Sequence, residues 1–133
     1  MTTPEVEKAA QSFLTAFDNL DWELFRAAFA ADATVFMPFS TIPKRLNGKE
    51  EVEAAFQAFF EQVRQQGKGP PYLNLQPADM KVQRVGDIGI VTFHLPDQTG
   101  LSRRTVIFQN RDGKWLIIHL HASNMQIPQT TSR

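Results

Sequence analysis

Two histidines near the end of the chain are the residues best suited to chemistry. The stretch from Trp115 to Ser123 reads WLIIHLHAS and carries His119 and His121 at a spacing of two. On a β-strand this spacing directs both rings to one face of the sheet. Imidazoles serve as general bases and as zinc ligands. Three interpretations follow: a zinc site completed by His94, a general base in a cavity, or side chains on a structural sheet surface.

The first half of the chain has the apolar spacing of helices, which must position any site formed with this strand. A first helix is predicted after Pro4, and a second is predicted to begin at a cap formed by Asp21. A third helix is expected to run from a cap at Asn47 to Gly67, because Pro70 then forbids its continuation.

The second half changes to the alternating pattern of strands. Strands are predicted around Leu73 and Leu75, and at residues 79–85, 88–95, 103–109 and 115–123. Helices followed by a long antiparallel meander predict an α+β domain, with the helices covering one face of a curved sheet. We expect the last hairpin to turn through three residues, Arg111 to Gly113.

The strand register decides which way the histidines point. A three-residue loop pairs Gln109 with Trp115 and Thr105 with His119. The last strand then lines a cavity with Leu116, Ile118, Leu120 and Ala122. The opposite face carries a mixed set that we predict to be a dimer face: His94, Thr105, Ile107, Trp115, Ile117, His119 and His121. This surface is too apolar for comfortable exposure, so a homodimer is expected.

The composition narrows the choice of partners. Fourteen basic residues balance fourteen acidic ones, so no long-range field attracts nucleic acid or a membrane. The absence of cysteine fits a cytoplasmic protein without disulfides. We predict no cofactor and no metal, because no cysteine or carboxylate supports the three histidines.

Two segments resemble known proteins. FAADATVFMPF, residues 29–39, is similar to ketosteroid isomerases and SnoaL-type polyketide cyclases, and GKWLIIHLHAS, residues 113–123, to the association domain of calcium/calmodulin-dependent protein kinase II. With the helices and meander they identify the chain as a member of the nuclear transport factor 2-like superfamily. The resemblance implies a cystatin-like, cone-shaped α+β barrel with an internal cavity and commonly a dimer. We expect one SnoaL-like domain over residues 1–127 and a disordered tail at residues 128–133.

The resemblance also allows a test of isomerase chemistry. Where that family places its catalytic aspartate this chain has Met37, and Phe13 replaces the tyrosine that donates to the oxyanion. No acid lies near Thr105 or Val106, where the family's second donor is expected. The sequence therefore argues against ketosteroid isomerase activity and assigns no catalytic residue.

The remaining candidates form an apolar pocket with one charge. They are Trp22, Phe36, Met37, Phe39, Phe56, Phe60, Tyr72, Phe93, Arg104, Val106, Phe108 and Leu120. Arg104 is either a solvated surface residue or a clamp for a ligand carboxylate. The preferred function is a dimeric, stand-alone SnoaL-like domain that binds a small hydrophobic ligand or has a packed, inactive cavity. The alternatives are an isomerase, dehydratase or cyclase of a small hydrophobic substrate, and a protein-assembly domain.

Overall fold

Three helices and six strands form the part of the chain that the computed structural model describes, residues 4–96 and 100–126. The helices are α1 (Pro4–Asp18), α2 (Trp22–Ala27) and α3 (Lys49–Gln66). The strands are β1 (Phe29–Phe36), β2 (Leu46–Asn47), β3 (Ala78–Val85), β4 (Ile88–Pro96), β5 (Gly100–Arg111) and β6 (Lys114–Gln126). The predicted tail at residues 128–133 lies outside the described residues.

The six strands make one sheet in the order β2-β1-β6-β5-β4-β3. Only the β1–β6 pair is parallel among the described strand pairs, so the sheet is mostly antiparallel. The α+β fold expected from the sequence, with helices on one face of a mostly antiparallel sheet, is confirmed. The barrel is not closed, because β2 and β3 remain as separate edges.

The helices cover one face of this sheet with aromatic side chains. Phe25 of α2 is 1% exposed and lies at the centre of the core. Its ring centroid is 4.8 Å from those of Phe56 and Phe60 and 5.1 Å from that of Phe13. At such distances aromatic pairs add stability beyond the area that they bury. The abundance of phenylalanine is thus explained largely by ring-to-ring packing.

Two predictions for the segments that flank α3 are wrong. The segment at Leu73 and Leu75 is not a strand, because it is tied to the end of α1: the Leu75 amide donates to the Asp18 carboxylate at 3.3 Å. Asn47 does not cap α3, since it pairs with Thr34 in the sheet and Gly48 occupies the cap position. Asp21 caps α2 as predicted, accepting from the Leu24 amide at 3.4 Å.

The register of the last hairpin also differs from the prediction. Arg111 pairs with Lys114, so the turn has only two residues, Asp112 and Gly113, with φ angles of 54° and 86°. Positive φ at both positions is what a type I′ hairpin turn requires. The turn shifts the register by one residue relative to the predicted three-residue loop.

A β-bulge in β6 then changes which side chains face the helices. Ile107 pairs with His119 but Phe108 pairs with Ile117, so Ile118 is an extra residue in β6. On the turn side of the bulge, Trp115 and Ile117 therefore belong to the core side, and Ile117 is fully buried. Their predicted place on the outer face is wrong, as is the place of Leu116 and Ile118 on the cavity side.

Within the described residues, no helix combines the length and the apolar run that a membrane span would need.

Candidate functional site

A small apolar cavity lies between the sheet and the helices α1 and α3. Its floor is formed by inward-facing side chains of three neighbouring strands. Arg104 of β5 lies between Phe93 of β4 and Ala122 of β6, and the next inward residue, Val106, pairs with Leu120. These positions follow from the alternation of side chains along each strand. The floor is therefore apolar apart from Arg104.

The walls and roof of the cavity are mostly aromatic. They consist of Phe13, Leu14 and Phe17 from α1, Phe56 and Phe59 from α3, and Met37, Pro38 and Phe39 from the segment after β1. The cavity volume is about 40 Å³. A water molecule needs roughly 10–15 Å³ of such volume, and drug-sized ligands occupy about 300–1,000 Å³. In this conformation the cavity has room for only a few water-sized groups.

A much larger cleft lies on the other side of Phe39. It has a volume of about 630 Å³ and runs between α3 and the segment at residues 37–42. Met37, Pro38, Phe39 and Phe59 line both spaces. The rings of Phe39 and Phe59 lie 5.6 Å apart, and Phe39 is 36% exposed. This aromatic pair separates the buried cavity from the open cleft.

Arg104 is the only titratable residue among the described residues that line the cavity. Its Nε donates to the Ser102 hydroxyl at 2.8 Å, and Ser102 is itself buried. Burial lowers the pKa of Arg104 to about 10, because a charged group loses the stabilisation of water. The arrangement places one positive charge, poorly solvated, beside an apolar space.

Seven of the twelve predicted pocket residues line this cavity: Met37, Phe39, Phe56, Phe93, Arg104, Val106 and Leu120. Phe13 and Ala122, placed at the cavity by the resemblance and by strand alternation, line it as well. Four further residues line the cavity and were not predicted from the sequence: Leu14, Phe17, Pro38 and Phe59. Helical spacing could have found Phe17 and Phe59, because they follow Phe13 by four residues and Phe56 by three.

The other five predicted pocket residues lie elsewhere. Trp22 and Phe60 line a separate cleft beside α3. Phe108 is buried in the core at 1% exposure, and Tyr72 packs at the edge of the core. Phe36 is on the opposite face of the sheet, where its ring lies 5.2 Å from that of His121. The prediction failed for Phe36 because β1 alternates, so that Val35 and Met37 face the helices instead.

His119 and His121 lie on the outer face of the sheet, away from the helices. The Oγ1 atom of Thr34 is 2.7 Å from Nδ1 of His119, and the two imidazole centroids are 6.5 Å apart. The pKa of His119 is lowered, chiefly because the ring is partly buried and also because His121 is close. These contacts describe a packed surface rather than a group facing the cavity.

The third histidine does not join this pair. His94 pairs with Arg103, whereas His119 pairs with Ile107, four residues further along β5. Four strand residues span about 13 Å, too far for one metal ion to bridge. Within the described residues, no cluster of three or more potential ligands could hold a metal ion. His94, Thr105 and Ile107 share the outer face with the other two histidines.

The family of the chain is established by its sequence. The profile of the SnoaL-like domain family matches residues 6–128. The chain therefore belongs to the SnoaL-like domain family, as the resemblance predicted. A search of curated protein sequences returned no significant match.

Solved structures with the same fold carry varied functional names. A nuclear transport factor 2-like protein of unknown function from Pseudomonas putida superimposes with a TM-score of 0.75 at 22% identity, covering 90% of this chain and 84% of that one. A provisionally assigned dehydratase from the nuclear transport factor 2-like family of Streptomyces avermitilis superimposes with a TM-score of 0.78 at 20% identity, covering 93% of this chain and 96% of that one. The calcium/calmodulin-dependent protein kinase II hub homology domain of Chlamydomonas reinhardtii superimposes with a TM-score of 0.71 at 20% identity, covering 92% of this chain and 98% of that one. At these identities the likeness establishes the fold and not the activity.

Proposed function

We propose that this SnoaL-like domain binds a small apolar molecule in the cavity above β4, β5 and β6. The observation that carries the proposal is the lining itself, which is aromatic and aliphatic apart from Arg104. Binding sites for small molecules are typically apolar with a few polar groups that orient the ligand. We propose that the role of this cavity is binding rather than catalysis.

The residues at the isomerase positions support binding over proton transfer. Met37, Phe13 and Val106 line the cavity, and none of them can accept or donate a proton at neutral pH. General acid–base chemistry needs such a group within hydrogen-bond reach of the substrate. An isomerase, dehydratase or cyclase would have to recruit Arg104 or a residue from outside the described cavity lining.

Binding requires the aromatic wall at Phe39 to move. The cavity alone is too small for a ligand of several heavy atoms, but the cleft behind Phe39 is not. Rotation of this partly exposed ring away from Phe59 would join the two spaces. The proposed site therefore consists of the cavity and the inner part of the cleft.

The test uses 1-hexanol as an apolar probe and the methyl group of Met37 as the reporter. In protein labelled with ¹³C at the methionine methyls, hexanol should shift the Met37 signal and leave that of Met125, which is 48% exposed, unchanged. Ala122→Val adds two methyl groups inside the cavity and should weaken binding by about tenfold or more. Ser123→Val, on the opposite face of the same strand, is the matched control and should bind like the parent.

Two results would reject the proposal. One is a Met37 signal that does not respond to hexanol at any soluble concentration. The other is binding that Ala122→Val and Ser123→Val weaken equally, which would place the probe outside the cavity.

We also propose that the domain forms a homodimer through the outer face of its sheet. Ile90, Ile107 and His119 form a row across three adjacent strands, and each is only partly exposed. Leu116 and Ile118 extend this apolar surface along β6. One of the similar structures, that from Chlamydomonas reinhardtii, is named as a hub homology domain, which favours an assembly role for the fold. The cytoplasmic location and the absence of a cofactor remain predictions from the sequence.

A further inference from the structure

Arg104 contributes to the lining of two spaces, which lie on opposite faces of the sheet. One is the apolar cavity, and the other is a surface cleft of about 250 Å³ over β3, β4 and β5. Among the described residues, only Phe93 and Arg104 line both. Arg104 alternates along β5 with Arg103 and Thr105, which face the outer cleft, so its own side chain faces the cavity.

The guanidinium group of Arg104 has unused hydrogen-bonding capacity. Its Nε donates to Ser102, but neither terminal nitrogen has a hydrogen-bond partner among the described residues. By contrast, Arg26, Arg84 and Arg111 each pair with a carboxylate at 2.9–3.1 Å. A partly buried arginine without an acidic partner loses hydration and gains no ion pair in return. An external anion would supply the missing partner.

No acidic side chain is among the described residues that line the cavity around Arg104. The surface cleft is lined by Lys81 and Arg103 in addition to Arg104, and its acidic residue is Asp79. His94 also faces the cleft, with its Nδ1 4.0 Å from the Asp79 carboxylate. These charges lie on the face of the sheet opposite to the cavity, so they do not surround the guanidinium group of Arg104.

We infer that the natural ligand is a small monocarboxylic acid with an apolar tail, its carboxylate bound by Arg104 and its tail in the phenylalanine-lined cavity. This inference rests on the proposed function, since it names the class of ligand that the same cavity takes. The planar fork of a guanidinium matches the two oxygens of a carboxylate. The apolar lining requires a tail, and no second cation lines the cavity among the described residues, which favours a single charge.

The experiment compares three probes at about pH 7.5, where a carboxylic acid is ionised. Hexanoate has both head and tail, hexanamide has the same shape without the charge, and acetate has the head without the tail. Binding is followed through the ¹³C-methyl signal of Met37. We expect hexanoate to bind at least about tenfold more tightly than either of the others, because hydrogen bonds to a charged group are the stronger kind.

Three variants assign the preference to a residue. Arg104→Gln should abolish the preference for hexanoate over hexanamide, whereas Arg104→Lys should retain part of it because the charge remains. Arg103→Gln removes the exposed neighbouring cation and should keep most of the preference. Folding of each variant is checked by its melting temperature. If Arg104→Gln fails to fold, the preference for hexanoate over hexanamide is measured in Arg104→Lys, where it should be reduced.

Each contrary result has a distinct meaning. Equal binding of hexanoate and hexanamide would show that the site does not select a carboxylate, although it would still bind an apolar molecule. Equal binding of acetate and hexanoate would show that the tail does not occupy the cavity. A preference that survives Arg104→Gln, or that Arg103→Gln removes, would overturn the role of Arg104. If neither hexanoate nor hexanamide binds, the proposed function fails as well.

Discussion

Arg104 and Met37 define the character of the cavity at the scale of single residues. Met37 stands where ketosteroid isomerases have a catalytic aspartate. Its thioether cannot accept a proton, so the cavity lacks a base at that position. Arg104 provides a charge that a purely structural core would not need. The first residue argues against isomerase chemistry, and the second argues for recognition of an anion.

The burial of Arg104 should reduce folding stability. Its pKa is lower in the folded than in the unfolded chain, so the folded state disfavours the charged form, and this penalty is fully present at neutral pH. Stability would regain the difference only as the pH rises above about 10. We expect Arg104→Met to increase the free energy of unfolding by about 1 kcal/mol or more, as measured by urea denaturation. Arg103→Met, at an exposed position, should change it by less than about 0.5 kcal/mol.

A loss of stability of more than about 1 kcal/mol in Arg104→Met would contradict this account of Arg104, since it would mean that the charge or its bond to Ser102 stabilises the fold.

His119 should make the protein less stable in acid. Its pKa is lowered in the folded state, first by burial and then by His121, so the unfolded chain binds a proton more readily. Stability should therefore fall as the pH drops below about 6.5 and level off below the folded-state pKa. His119→Gln should show a smaller loss between about pH 7.5 and 5 in urea denaturation. If the free energy of unfolding of His119→Gln changed with pH as steeply as that of the parent, His119 would not be the source of the pH dependence. A comparison of the two proteins at about pH 8 measures the effect of the substitution apart from protonation.

At the scale of elements, the positions of α1, α2 and α3 followed from helical spacing and, for α2, from the cap at Asp21, whereas the site depended on features that local patterns do not reveal. Nearly every residue from Trp115 to Leu120 is apolar, so the sequence could not show that Ile118 is an extra residue. The face of the sheet on which Trp115 and Ile117 lie was therefore predicted wrongly. The face predicted for His119 and His121 is correct, because the bulge and the shorter turn together shift the register by two residues and a shift of two leaves a side chain on the same face.

The contact between α1 and β4 is close enough to require glycine. A Cβ atom on Gly89 would lie 2.6 Å from Cγ1 and 2.8 Å from Cγ2 of Val6, which is fully buried. We expect Gly89→Ala to destabilise the protein by about 1–3 kcal/mol through this overlap. Adding Val6→Ala should recover part of that loss, as measured by a double-mutant cycle in urea.

The matched control for this cycle is Val52→Ala, another fully buried valine, on α3. Its effect should simply add to that of Gly89→Ala. If the effects of Gly89→Ala and Val6→Ala on the free energy of unfolding were also additive, the overlap between the new Cβ atom and Val6 would not be the cause of the loss.

At the scale of the whole molecule, the order of helices and strands was sufficient to predict the fold, and the motifs at residues 29–39 and 113–123 added the family. The apolar spacing of two long helices and the alternation along four strands depend only on which faces are buried. The volume of the cavity could not be predicted, because it depends on how the rings of Phe13, Phe17, Phe25, Phe56 and Phe60 fill the space between the layers.

The proposed dimer should be visible in solution. Light scattering at micromolar concentration should give a mass near twice 15.1 kDa. Ile107→Glu, at the centre of the outer face, should give the monomer mass, because it would bury an unpaired charge in the interface. Gln65→Glu, on the exposed side of α3, introduces the same charge and should leave the dimer intact. A monomeric parent protein would contradict the proposal, and a larger oligomer would favour the assembly-domain interpretation.

The central claim is that an apolar ligand occupies the cavity beside Met37. The most direct measurement is the intermolecular nuclear Overhauser effect between bound hexanol and the ¹³C-labelled methionine methyls. We expect contacts from the alkyl chain of the probe to the Met37 methyl and none to Met125, which is exposed on β6. Contacts to Met125 alone, or to no methionine at saturating hexanol, would contradict it.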